Sequence, residues 1–338
     1  MRFEFYHSGL DETPKLSVDG TVDNAIHFSH WQGNETPSQL KADTSTEIAL
    51  NLVAAPNRNE LTRGIELVTN NHFDTDGVLS VWTLLAGERA LDIRDRLIPA
   101  AEAGDFSEFT NEDAVRASIA IQGSDQVTPG EESASPLASQ LAGEKVTDEA
   151  RSYELVLPEI ERVLTKTNDY EPLWRGAWGK IANAIESFER GDSKVTEFSD
   201  VGLSLVTLAP DVFGADGFDP ARHAVPYTAI SRYAKGQLFL ISTPLQNGWA
   251  HRIDYPYYSW AETIVRPRIP RRDFSHVLTD LNQLERGHDV SWKLDNGEMT
   301  SAIKFLGADG RPAPSMLAPD EVAKLFSDHV RHASGDSK

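Results

Sequence analysis

The sequence predicts an α/β protein, with an N-terminal sheet-and-helix core, a helical insert and a β-rich C-terminal lobe. Three observations carry this reading. Gly64-Ile65-Glu66-Leu67-Val68 is apolar and branched enough for a buried strand, and across a polar loop Val78-Leu79-Ser80-Val81-Trp82-Thr83-Leu84-Leu85 reads as a buried helix. Trp174, Trp178, Ile181, Ile185 and Phe188 recur at helical spacing and make one apolar stripe, which marks a core-facing helix. From Val201 the pattern turns to β, in Gly202-Leu203-Ser204-Leu205-Val206-Thr207-Leu208, Gln237-Leu238-Phe239-Leu240-Ile241-Ser242 and Ala250-His251-Arg252-Ile253-Asp254-Tyr255.

In chain order, Ala25-Ile26-His27-Phe28-Ser29-His30-Trp31 is a short strand whose alternation sets His27 and Ser29 on one face and His30 on the other. Residues 43–53 read as a helix, because Thr44 and Glu47 have the spacing of a capping box. Residues 97–106 read as a helix ended by Gly104, with Asp105 at the turn. The α/β core is therefore assigned to residues 1–122. Residues 123–150, rich in Gly, Ser, Pro, Glu and Gln, are assigned to a mobile loop, and 151–195 to a helical segment. Residues 196–332 form the β-rich lobe, with a Gln246-Asn247-Gly248 turn, a helix over 274–284 and short strands near 290–294 and 302–305. Residues 333–338 read as a disordered tail.

The chemistry concentrates in Asn70-Asn71-His72-Phe73-Asp74-Thr75-Asp76-Gly77, between the first strand and helix named above. Such sheets hold ligands at that position. In an extended segment His72, Asp74 and Asp76 project to one side, and an imidazole with two carboxylates suits Mn²⁺, Mg²⁺ or Zn²⁺. Gly77 would allow a positive φ, and the helix N-terminus after it would offer N–H groups to phosphate. The same letters also fit an ordinary turn and helix cap. Asp105 and His30 are further ligand candidates. Asp43, Thr44 and Ser45 either cap their helix or line the same cleft. Arg222 and His223, and Arg268 in the cluster Arg266-Pro267-Arg268-Ile269-Pro270-Arg271-Arg272, are candidates for substrate charge, set against plain surface pairing with carboxylates.

His72, Asp74, Asp76, Gly77 and Ser80 fill a pattern that resembles the first motif of the DHH-type phosphoesterases, His-x-Asp-x-Asp-Gly-x-x-Ser. The resemblance implies a core of that type, a pair of Mn²⁺ or Mg²⁺ ions held by His72, Asp74 and Asp76, and hydrolysis of a small phosphorylated substrate. That family also has an isolated Asp on a second strand, an Asp-His-His triplet and a further Asp. This chain has no such triplet; the nearest sequences are Arg222-His223, Gly287-His288-Asp289 and Asp328-His329. Phe73-Asp74-Thr75-Asp76-Gly77-Val78-Leu79 is also similar to the haloacid-dehalogenase phosphatase signature, which would make Asp74 a nucleophile and Asp76 a general acid and base. Over a longer span, His30-Trp31-Gln32-Gly33-Asn34-Glu35-Thr36-Pro37, Asp43-Thr44-Ser45-Thr46-Glu47 and the His72 segment resemble a bacterial family of uncharacterised activity.

Composition narrows the partners. Across 338 residues, 52 acidic against 32 basic side chains leave a formal charge of −20, which repels nucleic acid. The absence of cysteine excludes thiolate metal sites and disulfides. With no charged leader running into an apolar stretch and no apolar run of about 18 residues, the expectation is a cytoplasmic protein that does not span a membrane. The expected reading is a metal-dependent hydrolase; a noncatalytic metal- or ligand-binding protein, or a hydrolase of a nonphosphate bond, stays open beside it.

Overall fold

Four short parallel strands underlie the N-terminal half: β1 (Arg2–Phe3), β2 (Lys15–Val18), β3 (Ala25–Phe28) and β4 (Leu67–Thr69), in the spatial order β1-β4-β2-β3. The computed structural model describes residues 1–126, 134–285, 287, 289–295 and 300–335. β2 and β4 are buried along their whole length, as central parallel strands must be when both faces are covered. The expected strand over 64–68 starts later, because Gly64 takes a left-handed φ of 78° and Ile65 still belongs to a turn closed by its N–H on the Thr62 carbonyl.

α-Helices follow β3 and β4. α1 (Ser45–Ala54) comes after β3, then α2 (Arg58–Leu61), and α3 (Thr75–Ala86) follows β4. α4 (Arg94–Asp105), α5 (Glu112–Gln122), α6 (Pro136–Ala142), α7 (Glu149–Val156), α8 (Ile160–Thr165) and α9 (Glu171–Arg190) complete the helical half. Ile48, Leu50 and Leu52 of α1 and Val78, Leu79 and Val81 of α3 are buried, so these two helices are apolar on most of their surface.

The chain divides into two units. One comprises Met1–Ser124, Glu132–Gly179 and Trp260–Arg268; the other comprises Asp125–Glu131, Lys180–Ser259 and Ile269–Lys338. The second is built on a six-stranded mixed sheet, β5 (Lys194–Phe198), β6 (Leu203–Thr207), β7 (Leu238–Leu245), β8 (Gly248–Asp254), β9 (Val290–Leu294) and β10 (Ser301–Gly307), in the order β5-β6-β7-β8-β10-β9. Among the described residues its only parallel pair is β6 with β7, joined through α10 (Tyr227–Tyr233). One core cluster joins Leu203, Leu205, Leu240 and Ile253 to Val277 and Leu281 of α11 (Ser275–Leu284) and to Val322 and Phe326 of α12 (Pro319–Gly335). A second cluster joins Val206 and Ile241 to Tyr227 and Ile230.

Several elements differ from the sequence reading. Gly104 does not end its helix; it lies inside α4, where a Cβ would come within 2.5 Å of Thr75, so tight packing rather than a turn explains the glycine. The segment assigned to a mobile loop contains α6, opened by Ser135 as cap and Pro136 at the first turn; residues 127–133 lie outside the described residues. The tail expected from 333 is helical as far as Gly335, because α12 carries its apolar face onto the second sheet; residues 336–338 lie outside the described residues. Among the described residues, no helix is long and apolar enough to cross a membrane.

Candidate metal centre

Three parallel strands end at one place. One residue past β2 stands Asp19, two past β3 stands His30, and three past β4 stands His72. This is the carboxyl edge where open α/β sheets carry ligands. Asp19 has a φ of 62°, the left-handed region that non-glycine residues seldom occupy, and Asp19-Gly20 turns the chain back. A Cβ at Gly20 would overlap the Asn71 and Asn70 side-chain oxygens, so the turn is glycine by necessity.

Six side chains converge there. His30 Nε2 lies 3.4 Å from Asp19 Oδ1, 3.2 Å from Asp105 Oδ2 and 3.7 Å from Asp76 Oδ2. His72 Nε2 lies 2.9 Å from Asp19 Oδ2 and 3.3 Å from Asp74 Oδ2. Two overlapping donor sets result, Asp19-His30-Asp76 and Asp19-His72-Asp74, each with its donor atoms within 4.8 Å of one another, and Asp19 belongs to both. Asp19 Oδ2, His30 Nε2 and Asp105 Oδ2 are buried and lack an aligned hydrogen-bond partner. Buried polar atoms normally find aligned partners, so these three make the cluster one that could hold a metal ion.

The surroundings fix both imidazoles in the tautomer a metal needs. His30 Nδ1 donates to the Asp43 carbonyl at 2.6 Å and His72 Nδ1 to Asn71 Oδ1 at 3.1 Å, leaving each Nε2 toward the carboxylates, where a cation that displaced its proton would meet a lone pair. Asp76 accepts the N–H groups of Ser45 at 2.7 Å and Thr46 at 2.8 Å, so it sits on the N-terminus of α1. Ser45 Oγ donates to Asp19 Oδ1 at 3.0 Å. Beneath the loop, Asn70 Oδ1 accepts from Gly20 N at 3.1 Å, Asn70 Nδ2 donates to the Tyr153 hydroxyl at 2.9 Å, and that hydroxyl donates to the His72 carbonyl at 3.1 Å.

Electrostatics follow from packing four carboxylates around two imidazoles. Burial weighs against a charge on His30, but Asp105, Asp19 and Asp76 outweigh it and push its pKa up to about 10. Burial likewise opposes His72, and Asp74 and Asp19 push it up to about 12. Burial also resists ionisation of Asp19, yet the two imidazoles hold it below the usual carboxylate range. Burial, and then the neighbouring Asp19, push Asp76 up to about 7, and burial raises Asp105 well above its ordinary value. The protons on the imidazoles take the part a cation would otherwise play.

Access is uneven. Asp19, His30 and Asp76 are buried, whereas the His72 and Asp74 side chains are 25% and 26% exposed. Aromatic rings wall the centre: Trp260 stands edge-on to His30 at 5.0 Å, and Trp31 lies 5.3 Å from His72.

Of the residues singled out from sequence, His30, His72, Asp74, Asp76 and Asp105 are brought together. Thr44 caps α1 through the Glu47 N–H at 3.2 Å, and Glu47 pairs with Arg94 instead of closing the box. The Asp43 carboxylate points away from the cluster, onto the N–H groups of Val265 and Arg266. Gly77 is helical rather than left-handed; a Cβ there would meet Asn70 Nδ2 at 2.4 Å and the Tyr153 hydroxyl at 2.8 Å. Its N–H is bonded to Asp74 Oδ1 at 2.7 Å, which takes up the amide expected to receive phosphate. Ser80 is buried and donates to the Gly77 carbonyl at 2.8 Å. Arg268 is exposed. Arg222 and His223 belong to the second unit, where both engage Asp219. Of the sequences nearest to an Asp-His-His triplet, His288 lies outside the described residues, and His329 pairs with Asp280 at 2.8 Å.

Asp19 is the residue the sequence reading missed. Its signal is the run Lys15-Leu16-Ser17-Val18 leading into Asp-Gly, a short strand ending in an acidic turn.

Fold and cluster together define an α/β protein with a buried Asp/His centre at the carboxyl ends of three parallel strands. The chain belongs to a family of unknown function (DUF6687), whose model matches residues 1–336. No curated protein matches it, and no solved structure does. The family description carries no phosphoesterase assignment.

Proposed function

We propose that the centre binds a pair of divalent cations, Mn²⁺ or Mg²⁺ with Zn²⁺ as a further fit, and that the protein is a metal-dependent hydrolase of a small phosphorylated molecule. The observation that carries this reading is the sharing of Asp19 between two donor sets, one completed by His72 and Asp74 and the other by His30 and Asp76, with Asp105 beside them. Two imidazoles among carboxylates suit Mn²⁺ best of the hard ions. Held by these residues, two ions would supply Lewis acidity and a nucleophilic water at neutral pH, chemistry suited to hydrolysis of a phosphate ester.

The DHH-type resemblance gains support from donor types. Asp19 after β2 answers to the isolated Asp on a second strand, His30 to a histidine of the missing triplet, and Asp105 to the further Asp. The order departs from that family, since Asp19 and His30 precede the His72 motif. The haloacid-dehalogenase reading has less behind it: β4 stops at Thr69, and Asp74 spends one oxygen on capping α3. A noncatalytic metal-binding protein is the second reading, favoured by the Gly77 amide being already taken; a hydrolase of a nonphosphate bond would use the same donors.

The test is to load purified protein with Mn²⁺, count the ions by elemental analysis and assay p-nitrophenyl phosphate and bis-p-nitrophenyl phosphate with and without EDTA. Two equivalents and EDTA-sensitive release of p-nitrophenol from one or both esters are expected. Two equivalents without turnover of any phosphate ester would leave the binding-protein reading, and no bound ion at millimolar Mn²⁺ would remove both.

A further inference from the structure

Residues Trp260–Arg268 belong to the unit that carries the metal centre, although their neighbours in sequence on both sides belong to the other unit. The segment is fastened at three points. At its start, the Trp260 carbonyl accepts from Gln32 Nε2 at 2.9 Å and the Glu262 N–H donates to the His30 carbonyl at 2.7 Å. In the middle, the Glu262 carboxylate receives Gly33 N at 3.2 Å, Asn34 Nδ2 at 3.0 Å and Lys41 Nζ at 2.9 Å. At its end, the Asp43 carboxylate takes the N–H groups of Ile264, of Val265 at 2.8 Å and of Arg266 at 2.9 Å, together with the Arg266 guanidinium at 2.8 Å. Arg266 continues to Glu102 at 2.7 Å and to Glu108.

Side chains on the segment sort by side. The Trp260 ring faces inward, against His30, Trp31 at 5.9 Å and Phe106 at 6.4 Å, whereas Ile264 and Val265 are 57% and 85% exposed. Those two residues serve through their amides. Asp43 is the joint, because its carboxylate holds the segment while its carbonyl fixes His30 Nδ1 at 2.6 Å.

Resting on the reading that the centre binds two cations, we propose that Trp260–Arg268 is a retaining strap that makes the two ions kinetically unequal. An inner ion among Asp19, His30, Asp76 and Asp105 is shut in beneath Trp260 and released slowly. An outer ion at Asp19, His72 and Asp74, on the quarter-exposed side, exchanges freely and faces the substrate. Release of the inner ion requires the His30 side to loosen, and Asp43 with Arg266 governs how often that happens. Asp43, Arg266 and Trp260 are thus positioning residues.

The experiment loads the full chain with Zn²⁺, removes free ion, and follows transfer to excess 4-(2-pyridylazo)resorcinol by absorbance. Wild type should release one equivalent fast and one at least tenfold more slowly. Asp43→Asn and Arg266→Gln should speed the slow phase at least tenfold and leave the fast phase unchanged, with near-ultraviolet circular dichroism establishing that they are folded. Trp260→Ala, which removes the cover without breaking the clamp, should speed it as well. Release of both ions in one phase by wild type, or an unchanged slow phase in the folded variants, overturns the strap while sparing the two-ion reading. Failure of the wild type to retain any Zn²⁺ overturns both.

Discussion

Asp19 Oδ2 stands 2.9 Å from His72 Nε2, joining the carboxyl ends of two adjacent parallel strands, and its other oxygen reaches toward His30. One carboxylate therefore serves both halves of the centre. Asp19→Asn should lower bound Mn²⁺ from two equivalents to at most one and cut hydrolysis about a thousandfold, which corresponds to about 4 kcal/mol of lost stabilisation. Elemental analysis and initial rates on the same preparation check this; undiminished turnover would exclude a shared-ligand role.

Asp74 carries two duties that a pair of substitutions separates. Its Oδ1 caps α3 through the Gly77 N–H, and its Oδ2 faces His72. Asparagine caps as well as aspartate, so Asp74→Asn should keep its thermal stability yet lose metal-dependent activity. Asp74→Ala should lose activity and about 1 kcal/mol of stability as well. Equal melting curves for the two variants would show that the cap contributes nothing.

Tyr153 lies far along the chain and holds the His72 loop from below. Tyr153→Phe leaves Asn70 Nδ2 and the His72 carbonyl without a buried partner, and should cost about 1–3 kcal/mol. Because the hydroxyl positions a ligand residue, the affinity for the outer ion should fall roughly 10- to 100-fold. Metal titration followed by intrinsic fluorescence reads the affinity and urea unfolding reads the stability; a stability loss with unchanged affinity would make Tyr153 purely a packing residue.

His251 in the second unit provides a pH test independent of the Asp/His cluster. It is buried and neutral, with Nε2–H donating to the Leu317 carbonyl at 3.0 Å and Nδ1 accepting from Ser242 Oγ at 2.8 Å. Burial pushes its pKa down to about 4. Below the unfolded value near 6.5 the unfolded chain takes up the proton first, so stability is full above that pH and is lost as pH falls toward 4. The loss attributable to this group is about 3 kcal/mol. Urea unfolding at pH 7 and pH 4 should show wild type losing that much more than His251→Gln, and parallel losses would rule the histidine out as the source.

What could be read from the chain depended on whether the information was local. α1, α3, α9, α11 and the strands of the second sheet other than β5 announce themselves through patterns that span a few residues, whereas β5 falls across the boundary drawn at 195 between the helical segment and the lobe. His72, Asp74 and Asp76 were visible through their alternate spacing after an apolar run, but the extended geometry expected of that spacing stops at Asp74, the cap of α3, and Asp76 lies in the helix's first turn beside His30 instead. Asp19 was not, because a single aspartate before glycine is an everyday turn until strand pairing sets Ser17 beside Thr69 and Val18 beside Phe28. The duty of Asp43 was hidden still more deeply, since its partners at 264–266 lie far along the chain, between β8 and β9. α12 had local signals, Pro319 followed by Asp320 and Glu321 ahead of Val322, Ala323 and Phe326, that the composition of the last residues obscured.

The order in which these pieces leave the ribosome gives the strap another meaning. All six candidate ligands have been translated by residue 105, whereas Trp260–Arg268 follows only after most of the second sheet has been made. At ordinary elongation rates that interval is on the order of ten seconds. On the proposed two-cation reading, the inner position would stand uncovered during that interval, so the strap would bear on when an ion can enter as well as on when it can leave.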